Sequence, residues 1–297
     1  IPTDIPQFIN TNPRPAAPLA KQPDDLRVAV FNVLNFFTGH GRAEPFPTRR
    51  GARTQEDLAR QQAKLISALA AMDADIIGLL ELENNGYGSG SAIATLVAAL
   101  NEVATKPYAI VETAQTPGTD AIKVGLIYRP SAISEAGVAA TQTAAPFNRL
   151  NRAPVAQTFQ HLASGKTLTV AVNHFKSKGS CPRDDSPQYQ LQADQNDGQA
   201  CWNAARVGAS KALSQWLATN PTGTTSAHSL IMGDLNAYRM EDPVRALEQA
   251  GWHYLHDEQN PGFSYAFRGR SGSLDHALAS PELAAYLSTL EHWSINA

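Results

Sequence analysis

The chain has 297 residues, a formal net charge of -3, 43% hydrophobic residues and 17% charged ones. That is long enough to bury a substantial core as one large domain, and too apolar for a mostly disordered polymer. The acidic balance excludes a protein that grips nucleic acid by overall charge, so any phosphate contact has to come from a local basic patch.

Residues 1–25 are rich in Pro and Asn and read as a linker or extended lead-in to a domain over 26–297. "LRVAVFNVLNFF" (26–37), dense in β-branched and aromatic residues, is the first predicted strand. Thr54 with Asp57 three positions on opens a predicted helix, with Leu58, Leu65, Ile66 and Leu69 on one stripe, running to Met72. "DIIGLLELEN" (75–84) is a nearly continuous apolar run of the kind that forms a strand covered on both faces. A helix is predicted over 91–103, then strands at 123–129, 154–162, 168–175, 229–235 and 274–280. Helices intervene at 202–219 and 243–250, the latter with Asp242 as cap, Pro243 in its first turn and Gly251 as its stop. Strands and helices in this order, without a repeat, predict a layered α/β sandwich.

No apolar run is long enough to span a membrane as a helix. The chain begins with Ile1 and shows no signal peptide, which points to a mature or trimmed form. Cys181 and Cys201, the two cysteines, flank a polar segment with no periodic apolar face. A bridge closing that loop would stabilise by roughly 3 kcal/mol and imply an oxidising compartment. Two unrelated thiols are the alternative.

Several predicted strands end in polar groups of one chemical kind: Asn32 and Asn35, Glu81 and Glu83, Asn173 and His174, Asp234 and Asn236, Asp275 and His276. Any one of these pairs is an ordinary strand end. In "IMGDLNA" (231–237), alternation along an extended chain would aim Asp234 and Asn236 at the same spot; a plain turn is the alternative. Carboxylates and carboxamides without thiolates suit a hard cation such as Mg2+ or Mn2+. A histidine beside such an ion shuttles a proton near neutral pH, and the combination fits attack of water on phosphorus.

The ordered set "FNVLNFF", "IIGLLELEN", "NRAPV", "NHFKSKG", "MGDLNA" and "SLDHAL" resembles the endonuclease/exonuclease/phosphatase superfamily, which includes deoxyribonuclease I-like enzymes and abasic-site endonucleases. "NPRPAAP", "LELENNGYG", "VNHFKSKGS" and "DGQACWNAAR" are similar to its secreted bacterial extracellular nucleases. The resemblance spans about residues 11–297 and implies a four-layer α/β sandwich, two packed mixed sheets flanked by helices, lacking its last strand.

The resemblance also implies residue roles. Asn32 and Glu81 match the metal site, with Glu83 as a neighbour, and Arg152 matches the arginine that contacts phosphate. His174 matches the histidine that assists the leaving group or phosphoryl oxygen. Asp234 matches the residue that orients or deprotonates water, and Asn236 the partner that holds phosphate. Asp275 matches the aspartate that orients a catalytic histidine. That histidine belongs to a Ser-Asp-His motif which does not occur before the chain stops at "EHWSINA". A fragment of a longer chain is the expected explanation, and loss of the motif is the alternative. His276 is no substitute, because it should face away from Asp275.

Lys176 and Lys178 are candidate substrate contacts, with Arg206 as a further member of a basic patch; solvated surface charges are the alternative. Tyr87, Trp202 and Tyr238 are expected to pack, with base stacking as the alternative. The function implied is a secreted endonuclease, cutting DNA with RNA as a further candidate substrate, with Mg2+ or Mn2+ and room for a structural Ca2+, acting as a monomer without a membrane. The alternatives are a phosphomonoesterase or phospholipid-cleaving hydrolase on the same scaffold, or a non-catalytic fragment that binds phosphate or DNA.

Overall fold

The computed structural model describes residues 15–39, 45–256 and 262–295. One mixed sheet runs in the order β1-β2-β4-β3, from β1 (Val28–Phe36), β2 (Ile76–Glu83), β3 (Ala109–Ile110) and β4 (Ile122–Tyr128). The other is β5 (Ile133–Thr141), β6 (Val155–His161), β7 (Thr167–His174), β8 (Ser229–Asp234), β12 (Asp275–Ala279) and β9 (His253–Tyr254), in that order. Between β9 and β12 lies a separate hairpin, β10 (Tyr265–Phe267) with β11 (Arg270–Gly272). The helices are α1 (Gln55–Met72), α2 (Ala92–Asn101), α3 (Tyr189–Gln192), α4 (Asn203–Leu217), α5 (Asp242–Gln249) and α6 (Pro281–Ala284).

Three apolar layers hold four structural layers together. Odd residues of β2, Ile77 and Leu79, join Leu65 and Leu69 of α1 and Leu96 and Leu100 of α2. Even residues of the same strand, Ile76 and Leu80, meet Val170 and Val172 of β7 and Met232 of β8. On the far side of the second sheet, Ala171 and Ile231 pack under Leu213 of α4 and Leu247 of α5. The run 75–84 is nearly all apolar because both of its faces are covered. Where the sheets approach closest, a Cβ on Gly78 would sit 2.8 Å from Val172 Cγ2, so this position requires glycine.

The predicted two-sheet sandwich is the observed one, and the predicted strands and helices fall within a few residues of those found. Two details differ. Glu241, not Asp242, occupies the cap position of α5, and Asp242 is its first helical residue. Strand β5 was not expected: "ISEAGVAAT" is half exposed at a sheet edge and carries a register shift between Ala136 and Ala140, so it lacks strand composition. The lead-in is anchored where it is described, because the Lys21 ammonium bonds both oxygens of Asp75 at 2.9 and 2.8 Å. Among the described residues, no helix is long and apolar enough to cross a membrane.

Cys181 and Cys201 form a disulfide with a Cα–Cα separation of 5.4 Å. Beside it, Trp202 is buried and its indole N–H donates to the carbonyls of Gly179 and Ser180, so bridge and ring together pin the loop that begins at Lys176. Reduction, or Cys181→Ser with Cys201→Ser, will lower the melting temperature by several degrees, from the roughly 3 kcal/mol expected of a loop this size. A calorimetric trace unchanged by reductant would rule out a stabilising role for the bridge.

Candidate active site

Even residues of β7 and β8 face the other sheet, as Val172 and Met232 do. His174 and Asp234 continue those two rows to the end of their strands. On β12, Ala277 packs in the same layer and Asp275 follows its alternation. The register pairs His174 with Asp234 and Asp234 with Asp275, so the three stand in one line across β7, β8 and β12 at the mouth of the inter-sheet cleft. His174 Nε2 lies 3.5 Å from Asp234 Oδ2.

The first sheet supplies the opposite wall. Its strands β1 and β2 both break their alternation near the mouth, at left-handed Leu34, Asn35 and Glu81 (φ 54, 49 and 64°). At Glu81 the phase reverses, so Leu82 packs with the odd residues Ile77 and Leu79. This is a bulge of the kind that re-aims a side chain next to a site. The Glu81 carboxylate accepts from Asn32 Nδ2 at 3.0 Å and from the backbone N–H and Nδ2 of Asn35 at 3.0 and 2.7 Å. Glu83 is buried behind it, accepting from Thr38 and Asn85, which places it beside the cleft as a structural acceptor.

A second bend sits at the end of β8. Gly233 has φ 133°, and a Cβ there would lie 2.0 Å from the Asn173 carbonyl oxygen, so β7 and β8 can come together only over glycine. The ladder stops at Asp234, and Asn236 is left-handed with φ 48°. Strand alternation therefore does not aim Asp234 and Asn236 together, contrary to expectation. A turn links them instead: Asp234 Oδ1 accepts the Asn236 N–H at 2.7 Å, and Asn236 Nδ2 donates to the Phe175 carbonyl at 3.0 Å.

The cleft is electrostatically frustrated. Burial pushes the Asp234 carboxyl well above the usual carboxylate range, and the charges of Asp275 and Glu81 push it further. Asp275 is raised by burial and by Glu81, against a hydrogen bond from Ser264 and the nearby His292. Burial lowers His174 well below its ordinary value, and Arg152 and Arg50 lower it further, so the ring is neutral at pH 7. Arg152 is held at the edge by Asp120 (Nε to Oδ2, 3.1 Å) and by the Phe175 carbonyl, and Arg50 reaches Asp120 at 3.4 Å. Arg50, Asp120 and Ser264 lie in loops without a periodic pattern, and nothing in their local sequence marked them.

Other candidates lie outside the row. Lys176 donates to the Ser177 and Gly179 carbonyls, and burial brings its ammonium down to about 8. Lys178 is paired with Glu241 and sits 4.6 Å above the Tyr238 ring. Arg206 is not part of an exposed patch: it is 0% exposed and donates to the carbonyls of Lys176, Gln199 and Cys201. Trp202 is core, and the half-buried Tyr87 bonds Thr113.

His276 faces away from the cleft, as its neighbour Asp275 requires. Its Nε2 bonds the Ala237 carbonyl at 2.7 Å and its Nδ1 the Tyr254 hydroxyl at 3.0 Å, and burial lowers it to about 4. Between pH 6.5 and about 4 the unfolded chain protonates this ring while the folded one does not. Its contribution is thus fully present above pH 6.5 and lost on acidification, by about 3 kcal/mol in all. His276→Gln will flatten the fall of melting temperature across that window; a curve parallel to the parent's would place the acid sensitivity elsewhere.

The donor set around Glu81 has the chemistry of a divalent-cation site. Glu81, Asp234, Asp275 and the Asn32 amide are all oxygen donors, the kind a hard cation takes. Among the described residues no three His, Cys, Asp or Glu side chains converge at ligand spacing. Mg2+ is commonly held by one or two carboxylates and several waters, so this is compatible with its habits. Burial is the larger cause of the raised Asp234 and Asp275, and the repulsion from Glu81 and between carboxylates that adds to it is what a cation would relieve, so the residues fit.

A two-sheet α/β sandwich whose cleft gathers carboxylates, an imidazole and an arginine is the architecture of a phosphoester hydrolase. The chain belongs to the Endonuclease/Exonuclease/phosphatase family, whose sequence profile matches residues 29–296. Members of this family hydrolyse phosphodiesters or phosphate esters, typically with divalent metals. Solved structures of similar fold include the human Nocturnin catalytic domain with bound sulfate, at 16% identity and TM-score 0.55, covering 88% of this chain and 85% of that one. A family protein from Bacteroides vulgatus aligns at 13% identity and TM-score 0.54, over 86% and 87% of the two chains. The Bacteroides thetaiotaomicron mannosyl-6-phosphatase Bt3783 aligns at 13% and 0.52, over 86% of each. No curated protein sequence matched the chain.

Proposed function

We propose that the protein is a secreted, divalent-metal-dependent phosphodiesterase that cleaves nucleic acid, with DNA as its main substrate. One observation carries the reading: His174, Asp234 and Asp275 are aligned at the cleft mouth within electrostatic reach of Glu81, with Arg152 at the edge. In its ionised form Asp234 orients a water and takes its proton, steadied by the Asn236 N–H. His174, held neutral by burial and with Nε2 beside Asp234, is the group for a phosphoryl or leaving oxygen. Arg152, Asn236 and the Lys176/Lys178 loop are the phosphate contacts, and Asp275 positions the groups beside it. A cation at Glu81 and Asn32, Mg2+ or Mn2+, would offset charge on the phosphoryl oxygens. The Cys181–Cys201 bridge supports an oxidising, extracellular setting.

Plasmid, single-stranded DNA and RNA, assayed beside inositol phosphates and sphingomyelin with Mg2+ or Mn2+, test this reading. Cleavage of the polynucleotides at rates far above the others is expected. Turnover of monoesters or sphingomyelin alone would replace it with the phosphatase or phospholipid-cleaving alternative. Tight DNA binding without turnover would make the chain a binding module.

A further inference from the structure

The hairpin β10–β11 belongs to neither main sheet, and its surface is unusual for this chain. Tyr265 and Phe267, two positions apart, share one face and are 41% and 54% exposed, their rings nearly parallel at 16° with centroids 6.2 Å apart. Both rings lie outside the buried core clusters and leave a contiguous aromatic surface open to contact. Residues 262–273 carry Arg268 and Arg270 and no acidic side chain, within a chain of net charge -3. Arg268 and Gly269 form the two-residue tip, both with positive φ (50 and 75°). Such a tip is ordinarily Asn-Gly or Gly-Gly, and an arginine there carries backbone strain. Its guanidinium lies 5.2 Å from the centre of the Phe267 ring.

The hairpin leads into the candidate site. Gly272 opposes Tyr265, and a Cβ on it would meet the Tyr238 ring at 2.7 Å, so Tyr238 lies on the same face. Lys178 sits over Tyr238, and Asp275 follows Gly272 by three residues. At the base, the Ser264 hydroxyl accepts the N–H groups of Leu274 and Asp275 at 3.0 and 3.1 Å. Three aromatics, Phe267, Tyr265 and Tyr238, thus run from the tip to the cleft between cations at either end, Arg268 and Lys178.

Resting on the nucleic-acid reading above, we infer that this hairpin is a stacking platform that takes unpaired bases of the substrate strand on Phe267 and Tyr265, while Arg268 and Arg270 hold its phosphates. Every base has a π-face, so such a surface binds without sequence preference and favours single-stranded or locally opened DNA over closed duplex. The occupant is a polyanion with aromatic bases, because the described hairpin, residues 262–273, pairs exposed rings with Arg268 and Arg270 and carries no acidic side chain of its own.

Fluorescence anisotropy on the full chain in EDTA compares single-stranded oligothymidylate with an abasic phosphodiester of the same length. Tyr265→Ala/Phe267→Ala is expected to weaken oligothymidylate by roughly 10-fold or more and to leave the abasic strand unchanged. Tyr265→Trp/Phe267→Trp restores the preference for bases, and Arg268→Ala weakens both ligands alike. Equal losses on the two ligands, no loss on either, or loss confined to anionic phospholipid vesicles would overturn the assignment. Hydrolysis of bis(p-nitrophenyl) phosphate by the unsubstituted protein tests the parent reading separately. A protein that hydrolyses it without preferring bases overturns the platform alone; one that prefers bases but hydrolyses nothing keeps the platform and loses the enzyme.

Discussion

Asp234→Asn will lower kcat for phosphodiester hydrolysis by roughly 10²- to 10⁴-fold, the range that a positioned acid or base contributes. Asparagine keeps the oxygen that accepts the Asn236 N–H, so the turn after β8 survives and only the charge is lost. The same substitution should stabilise the cation-free protein. Asp234 is buried beside Asp275 and Glu81, and its folded-state pKa is raised above its ordinary value. Its ionisation therefore costs stability at pH 7, a cost that vanishes as pH falls through the carboxylate range. A thermal melt in EDTA at pH 7 should show Asp234→Asn a few degrees above the parent, with the gap closing near pH 4. Activity within a few-fold of the parent would refute the role, and a lower melting temperature at pH 7 would refute the crowding of carboxylates. His174→Gln tests the partner, with a similar kinetic loss expected.

Glu81→Gln will weaken Mg2+ or Mn2+ by at least roughly 10-fold, because it removes the carboxylate that β2 aims into the cleft. Calorimetric titration without substrate reads this directly. The parent's melting temperature should climb with added cation, as mass action requires of a ligand that binds only the folded state, while the variant's stays level. Chelator should stop hydrolysis by the parent. Full turnover in EDTA, or identical titrations for parent and variant, would remove the cation from the mechanism.

The layered sandwich was legible because its signals are local. The buried run in "DIIGLLELEN", the Thr54–Asp57 helix start and the alternation through "LTVAVNH" each follow from covering an apolar face, and the structure covers those faces as expected. Alternation likewise carries His174 and Asp275 to the inter-sheet side and His276 away from it. Edge strand β5 and the β10–β11 hairpin escaped because neither buries enough to need a strand composition.

Residue types along the chain were sufficient to mark polar strand ends as candidates and to predict a layered α/β sandwich, since both depend on side-chain type and on periods of a few residues; the roles of the candidates came from the resemblance alone. Where those groups meet depended on contacts between distant segments. The left-handed bends at Glu81 and Asn236, the reach of Arg50 and Asp120 to the cleft edge, and the burial of Arg206 under three carbonyls exist only once the sheets are packed. A period of two residues has no term for a bulge, and a bulge is what turns Glu81 toward a neighbouring sheet.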